Sequence, residues 1–306
     1  MTEGEVWARE LLRELRDDGY RPGAWGRFLC RSFERARVTR QARRSEHREV
    51  LLVGAAGLAA WVAVAPVRPW VALVGLLWWL LVVAMLDWHL GMLEDDQGRP
   101  LRRLGLPNLL SLARAAAVPA LPVASPALLA MILISAGATD AIDGSLARRR
   151  GEQTRLGVWL DGGADALVLS GAAVGAARHG LLPWWAAALV LGRLGLPALA
   201  VALAYFVHTQ TLVRPPSVLT RAPGLVLFAG LALATFRLPL AAPLVLVGAL
   251  GGLAALAVGT AGASLGGTRM TSLAPTIGAE RRYRPVVAAT GRSKRAVRVR
   301  STSGLQ

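Results

Sequence analysis

The sequence predicts an all-α fold, a polytopic membrane helical bundle. Three observations predict it. The chain of 306 residues is 54% hydrophobic and only 18% charged, with a mean hydropathy of +0.45. Apolar runs recur along it that approach or exceed the roughly 20 residues a helix needs to cross a bilayer core about 30 Å thick. The basic residues, finally, collect at the two ends and in short segments between those runs.

Taken in order, residues 1–49 form a charged extension with twelve arginines and nine acidic residues. Leu11, Leu12 and Leu15 fall at helical spacing near Trp7, which predicts one or two amphipathic helices before the basic stretch 35–48. Such a segment either lies on the membrane surface with its arginines at anionic headgroups or forms a solvated cytosolic extension. Residues 1–48 lack an apolar h-region, so no cleavable signal peptide is expected. Residues 50–105 read as a transmembrane hairpin and linker. Its helices, 50–66 and 70–92, are separated by Pro66, Arg68 and Pro69, and the polar stretch 94–105 carries the turn formers Gly98 and Pro100. Residues 106–262 hold six further helices, expected at 108–122, 126–148, 156–177, 183–207, 222–236 and 239–262. Residues 263–306 read as a basic tail, with nine basic residues and the single acid Glu280 from Arg269 on, a composition that predicts disorder.

Net charge is +16, from 35 Lys+Arg against 19 Asp+Glu. Two plus six helices return the chain to its starting side. The basic segments 1–49, 99–103, 148–155, 214–221 and 269–300 then share one side, and the opposite loops hold only Arg68, Arg178 and Arg237. By the positive-inside rule both termini are cytosolic. Topology therefore accounts for the charge, and no nucleic-acid partner is expected. Trp70, Trp88, Trp184 and Trp185 suit an interfacial belt. The lone Cys30 cannot form an internal disulfide, and the scattered histidines (His47, His89, His179, His208) suggest no catalytic cluster.

One group of residues needs a chemical reason. Asp140, Asp143, Asp161 and Asp165 lie in predicted membrane helices, where a carboxylate costs at least about 2.5–3.5 kcal/mol on insertion scales. Asp140 and Asp143 are three positions apart and share one helix face. Asp161 and Asp165 are four apart and share a face of the next helix. The basic turn near 149–155 folds these helices antiparallel, so both pairs lie at similar depth. One or two divalent cations would neutralise them, and all-oxygen ligation favours hard ions such as Mg²⁺ or Mn²⁺. The small residues Gly144, Ala147, Gly157, Gly162, Gly163 and Ala164 permit close approach of helices or ligand. Arg148 offers a donor fork suited to phosphate. Acid, metal, phosphate and arginine together point to phosphoryl transfer. Spacing alone leaves open which aspartate would act as the base.

The full pattern is Asp140-x2-Asp143-Gly144-x2-Ala147-Arg148-x8-Gly157-x3-Asp161-x3-Asp165. At every fixed position it resembles the signature of the CDP-alcohol phosphatidyltransferase family, and the resemblance covers about residues 106–262. It implies a six-helix catalytic core with a polar cavity open to the cytosol, commonly in a homodimer. It implies metal ligation, by two ions, at Asp140, Asp143 and Asp161. Asp165 would be the general base in contact with the second ion. Gly144, Ala147 and Arg148 would hold the cytidine diphosphate, and Gly157 would serve helix packing. The stretch Asn108-x2-Ser111-x2-Arg114 looks like the family's opening helix. That places Asn108 and Ser111 at the CDP cavity and Arg114 at an acceptor or lipid phosphate. Arg193, between Gly192 and Gly195, and Arg221 are further candidates for an acceptor or lipid phosphate. Around Arg221 the chain reads Pro216-Ser217-Val218-Leu219-Thr220-Arg221, without the Gly-Lys that many members carry there.

The implied reaction is transfer of a phosphatidyl group from a CDP-alcohol, CDP-diacylglycerol first, to a small alcohol acceptor, free or phosphorylated, with release of CMP. The implied setting is phospholipid synthesis in a bacterial cell membrane, and the near-total use of arginine for lysine agrees with a GC-rich bacterial genome. Two other readings are weaker. An intramembrane prenyltransferase also uses paired aspartate motifs, but Thr139 precedes Asp140 where that motif starts Asn-Asp. A silent metal-binding scaffold leaves the intact motif unexplained, and a cation transporter should show inverted repeats, which are not evident.

Overall fold

The computed structural model describes the backbone of residues 3–95, 97–150, 154–208 and 218–265. Side chains are described there except at 3, 5, 140–150, 208, 218–221, 256 and 258–265. Among the described residues the protein is helical. Ten α-helices follow one another: α1 (Glu3–Asp17), α2 (Pro22–Ala42), α3 (Arg44–Val64), α4 (Pro69–Trp88), α5 (Gly105–Ala117), α6 (Pro126–Arg150), α7 (Arg155–Arg178), α8 (Trp184–His208), α9 (Val218–Thr235) and α10 (Ala241–Leu265). No strand occurs among them, only an isolated bridge between Glu94 and Pro100.

Four stretches are long and apolar enough to cross a bilayer: Arg44–Val64, Pro69–Trp88, Gly105–Val123 and Trp184–Val207. Shorter apolar stretches occupy Pro126–Thr139, Ala222–Thr235 and Ala241–Ala255. Large apolar side chains stand exposed along these helices, among them Leu52, Leu77, Leu80, Leu199 and Val247. Water would penalise such surfaces. Lipid tails do not, because they are as apolar as the side chains themselves.

Proline and polar residues move several helix ends from where hydropathy puts them. The helix expected at 108–122 is α-helical only to Ala117 and continues as a 3₁₀ segment over Val118–Val123. Pro119 and Pro122 lack the N–H that an α-helix interior needs. The helix expected from residue 50 begins at Arg44, because Arg44, Ser45, Glu46 and His47 extend it beyond its apolar run. The N-terminal extension forms the two helices α1 and α2. Helix α7 ends in a Schellman turn: Leu181 N–H reaches Ala176 O at 2.9 Å and Gly180 N–H reaches Ala177 O at 3.0 Å. Gly180 takes φ +66°, which glycine adopts without a Cβ penalty.

The residues up to Ser264 make one compact unit. Its larger core joins α6 to α10 with the 3₁₀ segment, and α7 contributes a face of small residues, Ala172, Ala173, Ala176 and Ala177. On that face Gly175 lies so close to the Leu121 carbonyl that a Cβ would overlap it. A second core joins the α3–α4 hairpin to Leu90, Leu93, Leu104, Leu112 and Leu156, so the hairpin packs onto the starts of α5 and α7. Within the hairpin, Trp61 covers Gly75 and Trp79 covers Gly57. The Trp79 indole donates to Gly54 O at 2.8 Å, and that of Trp78 donates to Ala115 O of α5 at 2.8 Å.

Helices α1 and α2 are fastened at two places. Tyr20 donates to Phe206 O of α8 at 2.8 Å, and Trp25 and Phe28 meet the Phe206 ring. At the other end Arg40 of α2 and His47 of α3 both reach the Asp87 carboxylate of α4 at 2.7 Å, and Arg43 donates to the carbonyls of Leu90 and Leu93. After α4, Asp95 accepts the backbone N–H groups of Arg99 and Gln97 and the Arg99 guanidinium. The Arg99 N–H, more than any other group, holds that carboxyl below its ordinary pKa.

The reciprocal tryptophan–glycine contacts make a prediction. Gly57→Leu would force the Trp79 indole out of its seat, at about 1–3 kcal/mol for an overpacked core position. A lower thermal midpoint of the purified protein in detergent is expected. An unchanged midpoint would show that Trp79 does not depend on that space.

Candidate active site

The candidate site grows from the contact between α5 and α7. Thr154 caps α7: in extended backbone, its Oγ1 accepts the Gly157 N–H at 2.8 Å. A threonine there satisfies one of the donors a helix start leaves unpaired. The same oxygen faces α5, where Asn108 Nδ2 lies 3.4 Å away while donating to Leu104 O at 2.5 Å. Gly157 is the residue this crossing requires. A Cβ on it would stand 2.6 Å from Asn108 Oδ1 and 2.8 Å from Thr154 Oγ1, so both polar partners would have to shift. The start of α7 is further pinned by Arg155 N–H on Glu94 O at 3.1 Å, and the start of α5 by Leu104 N–H on the Glu49 carboxylate at 2.8 Å.

One turn along α5 from Asn108, Ser111 faces α7, and Arg114 follows one turn later. The Arg114 guanidinium pairs with two carboxylates of α7, one N–H group on Asp161 Oδ1 and another on Asp165 Oδ1. It also donates to Ser111 Oγ at 3.2 Å. Ser111 has one proton to give, shared in alternation between Asp161 Oδ1 at 3.2 Å and Pro107 O at 3.3 Å. The burial is asymmetric. The Arg114 side chain is 5% exposed, whereas those of Asp161 and Asp165 are 41% and 39% exposed. The arginine forms a buried back wall, and the carboxylates stand on its open side.

Asp161 and Asp165 therefore lie on one face of α7, as their spacing of four requires. They supply hard oxygen donors converging on a common positive charge, and a divalent cation on the open side suits the same donor set. Among the described residues no third Asp, Glu, His or Cys joins them. Asp140, Asp143, Gly144, Ala147 and Arg148 fall on α6, which packs against both α5 and α7. Their side chains lie outside the described residues, as does that of Arg221, whose backbone lies in the first turn of α9.

The other predicted residues are placed as follows. Asn108 and Ser111 are buried, with their polar atoms engaged at the α5–α7 seam. Arg114, expected at an acceptor or lipid phosphate, has its guanidinium on Asp161 and Asp165. Arg193 lies in α8 against α10, over Gly252, where any Cβ would collide with its guanidinium. Thr154 escaped the sequence reading. Its signal was a threonine three residues before Gly157 at the head of an apolar helix.

The fold and this site together define a class. The family model for CDP-alcohol phosphatidyltransferase matches residues 104–261, just over half of the chain, and the protein belongs to that family. With its long apolar helices it is a multi-pass membrane protein. Among curated relatives, a Mycobacterium tuberculosis protein named "Probable phosphatidylglycerophosphate synthase" is 40% identical over 73 residues, 24% of this chain and 35% of that protein. A Streptomyces coelicolor protein named "Cardiolipin synthase (CMP-forming)" is 34% identical over 102 residues, 30% of this chain and 47% of that one. A Yersinia pestis protein named "CDP-diacylglycerol--glycerol-3-phosphate 3-phosphatidyltransferase" is 37% identical over 90 residues, 27% of this chain and 49% of that one. The chain thus spans between a third and a half of the length of these relatives. No solved structure matches it.

The seam carries its own prediction. Thr154→Val removes the cap acceptor and the partner of Asn108 while keeping the side-chain volume. A loss of about 1 kcal/mol is expected for the cap, read as a lower unfolding midpoint.

Proposed function

We propose that the protein transfers a phosphatidyl group from CDP-diacylglycerol to a small alcohol acceptor, releasing CMP, in phospholipid synthesis. The observation that carries this reading is the convergence of Asp161 and Asp165 on the open side of Arg114, inside an eight-residue motif of the matched family. Asp140, Asp143, Asp161 and Asp165 would hold Mg²⁺ or Mn²⁺, two ions in the full site. Such ions, when bound, neutralise a diphosphate and the charge developing on the CMP leaving group.

The remaining work falls to the chain's own groups. Gly144, Ala147 and Arg148 would hold the cytidine diphosphate, the arginine as a donor to its phosphate oxygens. Asp165 accepts the proton of the acceptor hydroxyl. That oxygen attacks the donor's distal phosphorus, the phosphoanhydride bond breaks, and the electron pair leaves on CMP. The products are a phosphodiester and CMP, with the proton held on Asp165. Arg193 and Arg221 are candidates for an acceptor phosphate. Two of the relatives are named for glycerol-phosphate products or substrates, which makes glycerol 3-phosphate the first acceptor to try. The reading places the enzyme in a bacterial cell membrane, as a homodimer, with its site and both termini on the cytosolic side, consistent with the distribution of arginines.

The test is CMP release from labelled CDP-diacylglycerol in membranes, with an acceptor screen and lipid mass spectrometry. EDTA should abolish release and Mg²⁺ or Mn²⁺ restore it. Asp165→Asn should lower turnover by about 10²–10⁴-fold, the usual worth of a general base. Wild-type turnover in Asp143→Asn or Asp165→Asn would overturn the assigned roles.

A further inference from the structure

Arg114 stands apart from the residues that the motif assigns to catalysis. It lies on α5, outside the Asp140–Asp165 signature, yet its guanidinium meets both described carboxylates of that signature. The guanidinium is nearly buried, and the carboxylates are about two-fifths exposed on the opposite side. It meets Asp161 Oδ1 and Asp165 Oδ1 from the buried side, so the contact orients both groups from behind. Ser111, which accepts from the same guanidinium, fixes it from the α5 side.

Two consequences follow from charge. Without a metal, the two carboxylates would repel each other on one helix face, and Arg114 offsets that repulsion. With a metal, a full positive charge a few Å behind the ligands opposes the cation's own charge and weakens its binding. We propose that Arg114 is a positioning residue with a second role: it holds Asp161 and Asp165 as a preformed pair in the metal-free protein and keeps the bound divalent cation exchangeable. This rests on the reading that these carboxylates bind metal.

The test uses the full chain in detergent or nanodiscs. Mn²⁺ affinity is measured by electron paramagnetic resonance of the free ion, and thermal midpoints are measured with EDTA and with Mn²⁺. Arg114→Met should lower the midpoint in EDTA, enlarge the rise on adding Mn²⁺, and tighten Mn²⁺ binding by roughly tenfold or more, the scale of one charge removed from nearby. Arg114→Lys keeps the charge but not the two-pronged fork. It should keep Mn²⁺ affinity within about threefold of wild type by the same electrostatics, while kcat falls because the carboxylates are no longer held together. Arg114→Gln serves in place of the Met variant if that does not fold, with the same expected tightening. A neutral variant that binds Mn²⁺ as wild type does, or more weakly, overturns the proposal for Arg114 alone. Wild-type protein that binds no Mn²⁺ overturns the metal reading beneath it.

Discussion

A buried guanidinium cannot be left without partners, and at Arg114 that requirement organises the centre of the molecule. Taking an arginine out of water costs several kcal/mol unless anions replace the lost hydration. Among the described residues, Asp161 and Asp165 on α7 and Ser111 on α5 supply that replacement. The pairing fixes the rotation of α7 about its own axis relative to α5. Once that rotation is set, Thr154 and Gly157 face Asn108, and the small residues farther along α7 face the 3₁₀ segment. One electrostatic contact and one packing seam therefore specify the same register.

Glycine and alanine make that register possible at the other end of α7. Gly175 accepts the Leu121 carbonyl at a distance that no larger residue allows, and Gly171 lies in tight contact with the Leu121 side chain. The prolines that break α5 into a 3₁₀ turn deliver Leu121 to that place. In lipid, where apolar burial between spans contributes little, such close backbone approach is a main source of cohesion. The hairpin α3–α4 uses a different device, two indoles seated over two glycines, and joins the core through Leu104, Leu112 and Leu156. Residues that lie outside the family match thus share a hydrophobic cluster with the starts of two family helices, and α1–α2 tie the end of α4 to the end of α8.

Much of this was legible from residue order. Apolar runs located the membrane helices to within a few positions, because span length is fixed by bilayer thickness. The spacing of four put Asp161 and Asp165 on one face, since neighbours on a single helix follow from its period alone. Hydropathy misjudged helix ends where the helix outran the apolar run, as at Arg44, and where proline changed the helix type, as at Pro119 and Pro122.

What the sequence by itself determined is the set of core helices, their order, and the acidic motif with the family it belongs to. Each of these depends on local composition or on separations within one helix. Only the tertiary structure decided that Arg114 meets Asp161 and Asp165, that Thr154 both caps α7 and meets Asn108, and that Arg193 lies over Gly252. Asp161 and Asp165 are 47 and 51 residues away from Arg114 along the chain. Contacts of that kind follow from how two helices cross and rotate, and that geometry is settled by the packing of every side chain between them.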